Sequence, residues 1–207
     1  MSDLDIDLAD CAIVTFEMQR GIAGDLFTMP VIREAILESG IIDHLARLFG
    51  PMRKAGVPVI HQCVGRRPDG HGTYMNMPYT NKHAADLKGS EKAQRLVLGN
   101  EGTEVIPEIY DESDIIVRRL HGVSGFHDTG LDSMLRSLGK NTIILTGSSV
   151  NRGITGTTIE AINRGYHVVL PREGVSGYPL DYARLMLEHS LQQIARVVTV
   201  DDLLALL

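Results

Sequence analysis

The stretch NTIILTGSSVNRGITGTTIEAINRGYHVVLP, residues 141–171, decides the fold. It opens on a near-continuous apolar run, turns through glycine, serine and asparagine, continues into a helix, and closes on a second apolar run. Short β-branched runs bounded by turn residues suit strands buried on both faces of a parallel sheet, where neither face alternates with water. Working outward, the same kind of run recurs at CAIVTF (11–16), VPVIHQCV (57–64), DIIV (114–117) and RVVTV (196–200), beside NTIILT (141–146) and YHVVLP (166–171). Between the runs, Leu131, Met134, Leu135 and Leu138 share one helical face, as do Ala183, Met186, Leu187, Ser190, Leu191 and Ile194. Strand alternating with helix predicts an α/β fold: a doubly wound, mostly parallel six-stranded sheet with helices on both faces, in three layers.

That arrangement picks out a crevice. Ligands of doubly wound sheets bind outside the carboxyl ends of the strands, and the residues that end strands one, three and four are Glu17, the Arg118–Arg119 pair and the turn 147–153. The turn leads from a strand into a helix, so its backbone N–H groups face the crevice with the positive end of the helix dipole behind them. GRRPDGHGTYMNMPYTN (65–81) has no period and reads as a long loop nearby; its Tyr74, Met75, Met77 and Tyr79 would form an apolar lid or, the reading favoured, pack against a second subunit. His121, two residues beyond Arg119, could supply a proton or touch substrate, or could be a turn histidine bonded to backbone. The glycine-rich turn has some likeness to dinucleotide-binding loops, but that fingerprint belongs on a first strand, and Asn151 stands where a glycine is needed. No cofactor is expected. His61, His71, His83, His121 and His127 are scattered along the chain, so no metal site is expected either.

Composition narrows the partners. With 207 residues, 43% of them hydrophobic, the chain can bury one substantial core, and one domain over 1–207 is expected. Its formal charge of −6 is spread out with no basic run, which argues against nucleic acid. No apolar stretch approaches the roughly 20 residues that cross a bilayer, and MSDLDIDLAD is acidic where a signal peptide is basic, so a cytoplasmic location with no membrane partner is expected. Cys11 and Cys63 both fall in strands and read as buried, inert thiols.

Five segments, covering nearly the whole chain, resemble the isochorismatase-like hydrolases of the cysteine hydrolase family. AIVTFEMQRG (12–21) is similar to the family's first strand, which ends in an acidic residue followed by Met-Gln; Glu17 stands where aspartate is usual. VPVIHQCVGRRPDG (57–70) is similar to the second strand and its loop, without the Asp-x-His that holds zinc in nicotinamidases. RRLHGVSGFHDTGLDSMLRSLGKNTIILTG (118–147) resembles the third strand, the Ser-x-Phe turn, the Thr-x-Leu helix start and the fourth strand. TGSSVNRGITGTTIEAINRGYHVVLPREGVSG (146–177) resembles the segment that usually carries the nucleophilic cysteine, and DYARLMLEHSLQQIARVVT (181–199) the last helix and strand. The resemblance implies the family's Rossmann-like three-layer sandwich, a small-molecule substrate, and a homodimer or homotetramer.

It also brings out three departures. The cysteine position falls on Gly153, so the thiolate chemistry of the amidases is missing, although true isochorismatases resemble this chain in having glycine there. Glu17 extends the carboxylate by one methylene. The family lysine, counted back from Phe126, falls on Leu120, and a one-residue shift puts Arg119 in its place, with Arg118 and His121 as other replacements. The expected site thus has Glu17, Arg119 and Gly153 as catalytic positions, with Ser148, Ser149, Asn151, His121, Gln19 and Phe126 binding substrate. The turn would form an oxyanion hole, aided by the cis peptide that the family often has, here between Ser148 and Ser149. An arginine beside Glu17 favours a general base over a general acid. Water is the expected nucleophile, since no neighbouring histidine would activate Ser149. The function expected is hydrolysis of a small molecule without a cysteine nucleophile; the alternative is a binding or regulatory protein that has lost turnover.

Overall fold

The computed structural model describes residues 6–207. β1 (Cys11–Phe16) lies in the middle of a parallel sheet, with β2 (Val59–Val64) and then β3 (Ile115–Arg119) on one side of it. On the other side come β4 (Thr142–Ser148), β5 (His167–Pro171) and β7 (Arg196–Val198). The six expected strands are joined by a seventh, β6 (Val175–Ser176), which pairs with the last two residues of β4. Two residues carry too little pattern to be read as a strand. The RVVTV run also ends early: Thr199 caps α7 (Val200–Leu204), its hydroxyl accepting from Asp202 N–H while the Asp202 carboxylate accepts from Thr199 N–H.

β1 is buried at every position, and its side chains alternate between two cores. Cys11 and Ile13 pack into a cluster with residues of α1 (Pro30–Ser39), α2 (Ile41–Lys54) and α7; Ala12, Val14 and Phe16 pack into the opposite cluster with α4 (Leu131–Ser137), α5 (Thr155–Asn163) and α6 (Leu180–His189). Period-two alternation on one strand thus produces the three layers. The strand order reverses between β1 and β4, which pair from Cys11↔Thr142 to Phe16↔Gly147, and this switch point opens the crevice beyond their carboxyl ends. Gly147 is obligatory there: its φ is +105°, and a Cβ would stand 2.3 Å from the Phe16 carbonyl oxygen.

The loop expected over 65–81 is shorter, because Pro78 opens α3 (Pro78–Leu87). Proline at a first helical position is favourable, but α3 buries no residue completely and so has no apolar stripe to betray it. It stands over the crevice and closes its outer side with Tyr79 and His83.

Candidate active site

Glu17 follows β1 and Arg119 ends β3. Glu17 N–H still bonds to the Gln62 carbonyl, 2.9 Å away, after which the chain leaves the sheet with Glu17 at φ +54°, left-handed backbone that is uncommon for a residue with a side chain. Arg119 donates to Glu17 Oε1. Both are largely withdrawn from water, with side-chain exposures of 5% for Arg119 and 19% for Glu17. Burial pushes the Glu17 carboxyl above its ordinary range, and the guanidinium groups of Arg119 and Arg152 pull it only part of the way back. The general-base expectation from the arginine alone is thereby modified: desolvation is the larger influence, and the carboxyl holds its proton more tightly than an exposed glutamate.

Strand parity decides between the two arginines. Arg119 points inward and is buried, with its guanidinium 5.0 Å from the Phe16 ring centroid; Arg118 alternates to the exposed side, where it reaches the Thr103 carbonyl at 3.4 Å. The pocket beside the Glu17–Arg119 pair encloses about 220 Å³ and is lined also by Ser149, Gly153 and His121, with Tyr74, Met75, Met77 and Tyr79 on its outer side. The Ser148–Ser149 peptide is cis. Ser149 leads into a turn of π-helix, Val150–Ile154, that runs on into α5, and the first N–H groups of such a helix have no intrahelical acceptor.

Four expected substrate contacts lie off the pocket. Gln19 is fully buried and spends its amide on Val64 N–H and on the Val64 and Thr103 carbonyls, tying the end of β2 to the loop ahead of β3. Asn151 donates to the Tyr178 carbonyl at 2.8 Å. Phe126 lies in the core against Tyr166, and Ser148 is buried behind Ser149. None of the four lines the pocket.

Arg152, His83 and Phe16 also line it, though none was read as a site residue. Arg152 adds a second cation, held over the Tyr79 ring at 4.0 Å; its place one residue before Gly153 was the available signal. His83 presents a buried Nε2 with no partner among the described residues, and burial lowers its pKa. Phe16 is the third. A Cβ built on Gly153 would stand 2.1 Å from Phe16 Cε1, so the ring fills the space a side chain at 153 would need. Gly153→Cys is therefore expected to destabilise the protein by about 1–3 kcal/mol through overpacking. Adding Phe16→Ala should relieve much of the clash, and chemical denaturation of the single and double variants checks this.

The two thiols lie elsewhere. Cys11 starts β1, about 20 Å of extended chain from Glu17, and Cys63 is buried and does not line the pocket. Burial pushes their pKa values up to about 11 and about 12.

The family model described as Isochorismatase domain matches residues 11–202. Over 97% of its length the chain is 25% identical to the uncharacterized isochorismatase family protein YecD of Escherichia coli O157:H7, of which it covers 98%. A 132-residue segment, 61% of the chain, is 30% identical to the ureidoacrylate amidohydrolase RutB of Methylorubrum extorquens and spans about half (53%) of that protein. A solved cysteine hydrolase from Pseudomonas syringae pv. phaseolicola superposes with a TM-score of 0.77 at 23% identity, over 97% of this chain and 93% of that one.

Proposed function

The chain belongs to the isochorismatase family, and we propose that it hydrolyses a small organic molecule using Glu17 as the acid–base group, without a cysteine nucleophile. One observation carries this reading: the buried Glu17–Arg119 pair lines a pocket at the switch point of the sheet, facing the Ser149 turn, while the Phe16 ring fills the space beside Gly153. In the proposed reaction water adds across the scissile bond. A carboxyl with raised proton affinity delivers a proton to the substrate or takes one from the attacking water. The Arg119 guanidinium orients the carboxyl, and N–H groups of the turn hold developing negative charge at the substrate oxygen. Arg152 supplies a cation at the pocket wall for an anionic substituent.

The test is hydrolysis of a panel of small amides, N-carbamoyl compounds and enol ethers before and after treatment of the native protein with iodoacetamide. Activity is expected to survive, with Cys11 and Cys63 unlabelled by mass spectrometry, because buried thiols with raised pKa values present little thiolate. Rapid inactivation with stoichiometric labelling at Cys63 would place a thiol in the mechanism and overturn the proposal.

A further inference from the structure

The loop that leaves β3 folds His121 back onto the adjacent pair His127 and Asp128. His121 Nε2 and His127 Nε2 each lie 3.5 Å from the same oxygen, Asp128 Oδ2. One ligand atom from each residue falls within 4.8 Å of the other two. The imidazole planes are steeply inclined, at 77° with centroids 5.0 Å apart. Hydrogen bonds from an imidazole to a carboxylate run to roughly 2.7–3.2 Å, so neither contact is one. A tetrahedral ion with bonds of about 2.0–2.1 Å holds its ligand atoms roughly 3.3–3.4 Å apart, close to the two separations seen. Asp128 takes up left-handed backbone, φ +50°, in bringing its carboxylate to both rings.

We propose that His121, His127 and Asp128 bind one divalent transition-metal ion, and that zinc fits them best. Two imidazoles and one carboxylate form a borderline N,N,O donor set, and three protein ligands leave a position for water or a bound molecule. Entry is unobstructed, since the His127 and Asp128 side chains are 52% and 76% exposed. His121 lines the pocket, its ring perpendicular to that of Tyr74 with centroids 4.6 Å apart, so the ion would stand at the pocket mouth and add positive charge there. This site does not depend on the hydrolase reading, because neither Glu17 nor Arg119 is a ligand.

The whole protein, stripped with chelator and dialysed, is titrated with cobalt(II) and then with zinc. One equivalent of cobalt is expected to give the visible absorption of a tetrahedral site, zinc to displace it, and elemental analysis to find one zinc per chain. His127→Ala and Asp128→Asn change exposed side chains, and circular dichroism checks that both variants fold. Each should weaken binding by more than the roughly 10- to 100-fold that loss of a supporting hydrogen-bond partner costs, whereas His71→Ala, at an exposed histidine elsewhere, should not. Equal binding by all four proteins, or no saturable binding by the unaltered chain, would overturn the proposal.

Discussion

Arg119→Met is expected to destabilise the protein by roughly 3–5 kcal/mol at neutral pH, the cost of leaving a buried charge without its partner. The loss arises on two sides: Glu17 keeps its desolvated carboxyl without the guanidinium that donates to it, and the Phe16 ring loses the cation stacked beside it. The pH dependence has a definite sign. The folded pKa of Glu17 is already raised, so its contribution to stability is fully present below the unfolded value of about 4.3 and is lost as pH rises through the folded value. Removing the cation raises the folded value further, which extends that loss to higher pH. The gap between the two proteins should therefore be small in acid and widen as the pH rises. Urea unfolding at a series of pH values measures it. A constant loss of about 1 kcal/mol or less would mark an exposed pair of little consequence.

The sheet was legible because most of its strands carry a near-continuous apolar run, the pattern of a strand buried on both faces. The first strand was read to the residue, so Glu17 was found at its carboxyl end. Other features depend on partners that no local pattern names. The choice between Arg118 and Arg119 needed the parity of β3, whose recognisable run stops at Val117. α3 stayed hidden because it packs over a cavity instead of onto the core. Phe16 read as an ordinary core residue; that its ring lies beside Gly153 follows from the pairing of β1 with β4, a long-range fact. Polar residues near strand ends suggest ligand contacts, but backbone groups need partners too, and the amides of Gln19 and Asn151 supply them. The histidines looked scattered because a six-residue loop brings His121 back to His127 and Asp128.

The most direct test of the account is the rate of Glu17→Gln at saturating concentration of whichever panel compound the unaltered protein hydrolyses. Glutamine keeps the shape of the side chain and an oxygen to accept from Arg119, so the fold and substrate affinity should change little, as thermal unfolding and KM would show. An amide cannot exchange a proton in the reaction, and general acid–base catalysis typically contributes a factor of about 100 to 10,000. The account predicts that kcat falls by that factor in a folded variant. An unchanged kcat would leave Glu17 as a mere ion-pair partner and contradict the central role assigned to it.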